Sequence, residues 1–519
     1  MDYSKMSLRE KILQTFIVTI REVNKHGGTE SFFENYPVGG LFFRYLPDME
    51  GKAEMGTALS RERLAECRAA SRLPLLVCAD GVGFKDQSIG FDMRSLAGSQ
   101  NKDDSYNIGK ILGMQMNAND IDWILGPSVD MLYSRAMSMS AISDDPKITA
   151  DIYSEVVKGI QDQGVLATVK HFPGLGTSII NMHCGPGKNT LSFEEWMDTY
   201  GYIYQEMINQ GVYSVMTTHA TLKSYDDARH DGYCPIATYS TKLTQELLKD
   251  KLGFEGAVVT DALVMGGMAI GNLVEETAQA FKCGADLLLW PPIEAADRIE
   301  EMIENGEIPM SRLEDALERI KKMRDFREKA LSEHLYDTPD TAFAEQKFVE
   351  ITNRGIHLLK NEKQLLPIRK GEYNKVLIID ASKEANHEGA NILKEELQKR
   401  NIAADVKRDI YDVPSNVCWQ DDIDELQKAY DLIIFHVWAN YFETWGEELM
   451  LTWASHMFDK KKTIIVDYGN PYYAHDYFAE ECTVIQVNST PTDISVRAVA
   501  KRILGEEEFT GNSPLNNVN

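Results

Sequence analysis

Short apolar runs alternate with amphipathic stretches along the first two thirds of this chain. The runs lie at 14–20, 39–45, 73–80, 123–130, 165–171, 213–219, 256–261 and 285–290. Each is short and apolar, so each reads as a strand. Between most of them lie stretches with helical periodicity, at 148–163, 193–210 and 241–252. A repeating strand-then-helix order demands a parallel sheet, because a parallel neighbour is reached only through a crossover. Eight such units within the first 330 residues predict a (β/α)8 barrel. A polar, Pro-containing stretch at 327–340 follows, and a second α/β region begins near Phe348. Its expected strands are 375–380, 431–437, 463–467 and 483–487, with helices at 391–400 and 493–503. That order predicts an open, doubly wound α/β/α sandwich. The expected domains are therefore a barrel over 1–330, a linker over 331–347 and an α/β/α domain over 348–519.

The barrel reading locates the chemistry, since active sites of this fold sit at the carboxyl ends of the strands. Here the runs end in Asp80, Asp130, Lys170 with His171, Thr218 with His219, Asp261 and Trp290. Burying an ammonium without a partner costs several kcal/mol, so Lys170 at the lip of a core strand faces either a polar cleft or a counter-charge. Single residues also carry plainer readings: Asp130 as a turn cap, His219 as a hydrogen-bonded core histidine, Lys170 as a salt-bridged rim residue. Their coincidence on one face points to a ligand.

Composition narrows the partners. The 519-residue chain has a net charge of -26, which repels phosphate backbones and anionic lipid, so neither nucleic acid nor a membrane surface is expected. The first residues start a charged helix without a basic and apolar leader, and no run of 18 apolar residues follows. Seven cysteines, at 67, 78, 184, 234, 283, 418 and 482, contain no Cys-x-x-Cys pair and read as reduced thiols. A cytoplasmic location and a monomer or homodimer are expected. No dinucleotide fingerprint or Walker A loop is present, and the eleven histidines show no ligand spacing, so no cofactor or metal is expected.

Several blocks resemble glycoside hydrolase family 3 in its two-domain form. They are Pro74-Leu75-Leu76-Val77 running into Asp80, Gly126-Pro127-Ser128-Val129-Asp130, Asp145-Pro146, Lys170-His171-Phe172-Pro173-Gly174-Leu175-Gly176, Val215-Met216 with His219, and Val258-Val259-Thr260-Asp261. In the second domain, Ile356-His357-Leu358-Leu359-Lys360-Asn361 and Phe509-Thr510-Gly511 are similar to the family's opening and closing signatures. The Pro-Gly after Lys170-His171-Phe172 resembles the β-N-acetylglucosaminidase branch. The resemblance implies a retaining exo-acting β-glycosidase, β-N-acetylhexosaminidase-like, working on a small oligosaccharide or glycoside. It implies Asp261 as nucleophile, His183 as acid/base, and Asp80, Lys170 and His171 as groups that hold sugar hydroxyls.

Two positions depart from the family pattern. Where the branch carries Asp-x-His, this chain reads Asn181-Met182-His183. An amide still fixes the imidazole tautomer but supplies no negative charge to an imidazolium. Where the family places an arginine ahead of Asp145-Pro146, this chain has Ser140, with Arg135 five residues earlier. These departures keep three alternatives open: a β-glucosidase, a glycoside phosphorylase with phosphate as acceptor, and a sugar-binding homologue with impaired catalysis. A glutamate among Glu443, Glu447 and Glu448 is an alternative acid, and the aromatic run 438–445 either forms a sugar platform or packs an interface.

Overall fold

The computed structural model describes residues 3–43, 58–81, 85–86, 91–133, 141–229, 234–268, 271–369, 371–382, 388–407, 420–438, 455–478 and 482–516. Ser140, Arg135 and the candidate acids Glu443, Glu447 and Glu448 lie outside them, as does most of the run 438–445. The chain forms two compact units. One comprises Met1–Ile89, Ser105–Ser134 and Tyr153–Asp340; the other comprises Gly90–Asp104, Arg135–Ile152 and Thr341–Asn519.

In the first unit the eight apolar runs form eight parallel strands: β1 (Phe16–Thr19), β2 (Gly40–Phe42), β3 (Leu76–Asp80), β4 (Trp123–Leu125), β5 (Leu166–Phe172), β6 (Ser214–Thr217), β7 (Ala257–Thr260) and β8 (Leu288–Leu289). They pair in chain order, β8 pairs with β1, and a parallel bridge between Val259 and Leu287 closes the ring. Its interior holds Ile17, Phe42, Leu76, Trp123, Leu166, Met216, Val259 and Leu287. Alternate side chains point inward because the strand period is two.

The amino end of the barrel is sealed by arginines on the helix Met310–Ser332. Arg312 donates to the Asp286 carboxylate at 2.5 Å and Arg319 to the carbonyls of Phe254 and Gly256 at 3.0 and 2.7 Å. Arg324 donates to the carbonyls of Pro74 and Gly39, and Arg327 to Asp122 at 2.9 Å and the Gly164 carbonyl. Asp286 is fully buried; it also accepts from Lys249 at 2.8 Å and from the backbone N–H of Val258 at 2.8 Å, fastening the start of β7 to β8. A buried carboxylate is tolerable only with its charge paired and its lone pairs filled, as here.

The second unit carries a six-stranded sheet. In chain order its strands are β9 (His357–Lys360), β10 (Lys375–Ser382), β11 (Ala403–Lys407), β12 (Leu432–Trp438), β13 (Thr463–Asp467) and β14 (Thr483–Gln486). The spatial order is β9-β14-β13-β12-β10-β11, all parallel except the antiparallel edge β9. Four strands match the expected runs; β9 and β11 are additions. Both are edge strands with mostly half-exposed side chains, so they lack the continuous apolar run that marks a central strand. One apolar cluster lies on each face of the sheet.

Two buried groups near the carboxyl edge of this sheet oppose each other in pH dependence. Burial pushes Asp467 up to about 7, against the Gly469 N–H and Arg94, which act to lower it. Burial pushes His436 down to about 4, although Asp380 acts to raise it. The Asp467 carboxyl stays protonated in the folded chain at pH values where the unfolded chain, with its ordinary 3.8, has lost the proton. Its contribution is therefore complete below about pH 4 and is lost as pH rises toward 7. That of His436 has the opposite sign, complete above its ordinary 6.5 and lost as pH falls toward 4. We expect Asp467→Asn to gain about 2 kcal/mol over wild type on moving from pH 5 to pH 8. Urea unfolding at the two pH values measures it, and equal slopes in both proteins would refute the assignment.

Candidate functional site

The polar groups expected at the barrel's carboxyl face lie at the strand ends or, like Asp130, in the loop that follows, and most are paired there. Lys170, near the end of β5 and 8% exposed, donates to Asp80 Oδ1 at the end of β3 at 2.5 Å. This is the only partner of the ammonium among the described residues, and an ammonium has three donors. The counter-charge reading of Lys170 is the one the geometry carries: Asp80 neutralises the ammonium, and no other described group accepts from it.

His171 follows. Its Nδ1 lies 2.7 Å from Asp130 Oδ2, which also accepts from Ser128 Oγ at 3.0 Å, while Oδ1 accepts from the Leu175 N–H at 2.9 Å. Asp130, singled out as a substrate contact, is 1% exposed with both oxygens engaged by the protein. It stands behind His171, fixing Nδ1 as the donor and leaving Nε2 for other contacts.

The glycines of the Pro-Gly-Leu-Gly turn have a tertiary reason. Tyr200, buried on the stretch after β5, accepts through its hydroxyl from the N–H groups of Met131 and Gly176 at 3.1 and 2.7 Å, joining the loops after β4 and β5. A Cβ on Gly174, at φ +105°, would sit 2.3 Å from the Tyr200 ring, and one on Gly176 would sit 2.1 Å from the Met131 carbonyl oxygen. Only hydrogen fits at either position. In the sequence Tyr200 looks like any apolar position of an amphipathic helix, and nothing there marks this role.

His183 and Asn181 are both exposed. Asn181 Oδ1 accepts from the His183 backbone N–H at 3.0 Å and lies 2.9 Å from His183 Nδ1. Both neighbours are donors to that oxygen, so Nδ1 carries a proton and Nε2 is the ring nitrogen left for proton transfer. The loop is anchored at its far end by a short parallel pair, Gly187–Asn189 with Ala220–Leu222.

Asp261 follows β7. Its Oδ1 accepts from the Ala262 N–H at 2.8 Å, its own N–H donates to the Thr217 carbonyl, and no described residue bonds Oδ2. The next residues meet the His183 loop directly: the N–H of Gly266 donates to the His183 carbonyl at 3.2 Å and that of Gly267 to the Met182 carbonyl at 2.9 Å. A Cβ on Gly266 would sit 2.6 Å from that His183 oxygen. In the sequence the Gly-Gly pair resembles any flexible turn, and only the fold shows the close approach it allows.

His219 is fully buried. Nε2 lies 3.0 Å from the Ala262 carbonyl and Nδ1 2.9 Å from Thr238 Oγ1. Burial lowers its pKa against the pull of the Asp261 charge, so the ring is neutral, with Nε2–H donating to Ala262. Both nitrogens are taken by protein groups: His219 holds the turn after Asp261. Trp290, after β8, packs edge-on against Phe42 at 5.1 Å between centroids, and its backbone has φ +61°. That region is rare for a bulky residue and costs about 1–3 kcal/mol, which concentrates at functional sites.

No metal cluster was expected, yet Glu22, His26 and Glu294 bring ligand atoms within 4.8 Å of one another. Their spacing hides this, because Glu294 arrives from the other end of the barrel sequence. Lys25 lies 3.5 and 3.3 Å from the two carboxylates, and so competes as their counter-charge.

A sequence profile of the glycosyl hydrolase family 3 N terminal domain matches residues 7–323. The chain belongs to this family. Its enzyme class is therefore that of the glycoside hydrolases. A β-N-acetylglucosaminidase/β-glucosidase of Cellulomonas fimi is 24% identical over 515 residues, covering 92% of this chain and 88% of that one. A β-hexosaminidase of Tolumonas auensis is 30% identical over 233 residues, covering 43% of this chain and 68% of the relative. Among solved structures, a β-glucoside phosphorylase aligns with a TM-score of 0.81 at 22% identity, over 99% of this chain and 94% of that one. A family 3 β-N-acetylglucosaminidase from Paenibacillus sp. str. FPU-7 aligns with 0.79 at 20% identity, over 98% and 99%. The shared architecture is the parallel barrel joined to an α/β/α sandwich. No helix among the described residues is long and apolar enough to cross a membrane.

The Asp130–His171 contact yields a test. Asp130→Asn replaces a charged acceptor of three hydrogen bonds, and a loss of about 1–3 kcal/mol in unfolding free energy is expected, with a raised KM for any glycoside turned over. Thermal unfolding and initial rates measure both; an unchanged KM would separate His171 from ligand binding.

Proposed function

We propose that the protein is a retaining exo-β-glycosidase, β-N-acetylhexosaminidase-like, with Asp261 as nucleophile and His183 as acid/base. The reading assigns catalysis to the barrel domain, 1–330, followed by the linker 331–347 and the α/β/α domain 348–519. The observation that carries it is the hydrogen-bonded contact between the two loops, Gly266 N–H to the His183 carbonyl, which ties the His183 loop, its ring Nδ1 held by Asn181, to the turn after Asp261. Asp80, Lys170 and His171 hold sugar hydroxyls: carboxylate and imidazole accept, and ammonium donates. Asp130 and His219 act as positioning residues, and Trp290 offers an aromatic face to the sugar ring.

In the first step an Asp261 oxygen attacks the anomeric carbon while protonated His183 gives its Nε2 proton to the departing glycosidic oxygen. The C–O bond to the aglycone breaks and a glycosyl-aspartate ester forms. In the second step neutral Nε2 takes a proton from water as the water oxygen attacks the same carbon. The ester bond breaks, and the sugar leaves with its β configuration restored. Asn181 holds Nδ1–H throughout but adds no charge.

That neutrality favours a second reading. An uncharged Asn181 repels an anionic acceptor less than an aspartate would, so phosphate can replace water in the second step, giving a glycosyl phosphate without base assistance. The six cysteines among the described residues are all free thiols, which supports a cytoplasmic site where phosphate is abundant.

Chromogenic β-glucosides and β-N-acetylglucosaminides, with and without phosphate, test both readings. Asp261→Asn is expected to lose roughly four orders of magnitude in kcat. Full activity of that variant would end the nucleophile assignment. Asn181→Asp is expected to slow phosphate-dependent turnover relative to hydrolysis about tenfold. No acceleration of the wild type by phosphate would remove phosphorolysis, and sugar binding without any turnover would favour the binding-protein alternative.

A further inference from the structure

Two exposed apolar side chains lie on the loops that carry the proposed acid/base and nucleophile. Among the described residues the most exposed large apolar side chains are Ile179, at 76%, and Val264, at 56%. Ile179 lies two residues before Asn181, and Val264 three residues after Asp261. Single exposed aliphatics are ordinary on a protein surface. Here both occupy the two loops that carry the candidate acid/base and nucleophile, and those loops are hydrogen-bonded to each other.

Neither side chain is exposed through looseness. Ser178, 2% exposed, accepts through Oγ from the N–H groups of Ile180 and Lys188 at 3.2 and 3.3 Å and lies 3.1 Å from the Ile180 carbonyl. This clamp holds Ile179 at the outside of the turn. Val264 is flanked by Leu263, buried and bonded through its N–H to the Leu289 carbonyl, and by Met265, whose N–H returns to Ala262. Both residues are β-branched and hence stiff at χ1, so each loop presents a nearly fixed apolar surface.

The chemistry says what meets that surface. A general acid must come within hydrogen-bond reach of the oxygen it protonates, so the group attached to the glycosidic oxygen lies against the loop of His183. We propose that Ile179 and Val264 form an apolar lip for the aglycone, making this enzyme selective for glycosides whose leaving group has an alkyl or aryl face over those with a hydroxyl-rich one. The proposal rests on the assignment of Asp261 and His183 made above.

The test compares octyl and methyl β-glycosides of the same sugar. The ratio of their kcat/KM values cancels the sugar contacts and the chemistry common to both and isolates the aglycone. Wild type is expected to favour the octyl glycoside, and Ile179→Ser/Val264→Ser to lower that ratio about tenfold, since a few methylenes in an apolar site are worth that much. Ile179→Val, which keeps a branched apolar group, is expected to retain most of it. Since the serine variant can only be read if folded, its melting temperature is recorded alongside. A ratio near one in wild type, or one unmoved by the double substitution, overturns the lip and leaves the catalytic assignment standing. Wild-type turnover of the methyl glycoside by Asp261→Asn overturns the catalytic assignment, and the lip with it.

Discussion

The arrangement of this barrel depends on how its amino end is held shut. Four arginines of one helix, Arg312, Arg319, Arg324 and Arg327, bind carboxylates and backbone carbonyls at the ends of strands and loops that are far apart in sequence. Guanidinium groups suit the task, because a planar fork of five donors can satisfy several acceptors at once without losing its charge. With Asp286 fixing β7 to β8, the closure of the amino end is independent of the polar groups at the carboxyl ends, whose internal partners are one another.

At that face rigidity comes from close approach. Tyr200 replaces what would be side chains at Gly174 and Gly176, and its hydroxyl joins the loops after β4 and β5. Gly266 and Gly267 let the Asp261 turn lie against the backbone of the His183 loop. Each glycine gives up side-chain contacts and chain stiffness, and gains a backbone distance that no other residue allows. The buried pairs Asp130–His171 and His219–Ala262 then set the ring orientations. Ordering of this kind precedes any ligand, so little binding energy is spent on arranging the groups proposed for catalysis.

Much of this is legible in the sequence. Alternating apolar runs and helical stretches determined a parallel barrel followed by a doubly wound sheet, because burial on both faces of parallel strands leaves a plain hydrophobic pattern. The edge strands β9 and β11 were not legible for the same reason: half-exposed strands carry no such pattern. Polar residues ending the apolar runs marked the ligand face, and Asp261, Lys170, His171 and His183 were singled out by position and motif.

What only the tertiary structure decided is which groups face one another. Asp130 and His219 look in the sequence like further ligand contacts, whereas folding places both in the protein's own hydrogen-bond network, one behind His171 and the other behind Asp261. Glu22 and Glu294 meet although they are separated by most of the barrel. Periodicity reports whether a residue points toward the core, since that depends on its neighbours in the chain. It carries no record of partners from distant segments, and the roles of single polar side chains are set by those partners.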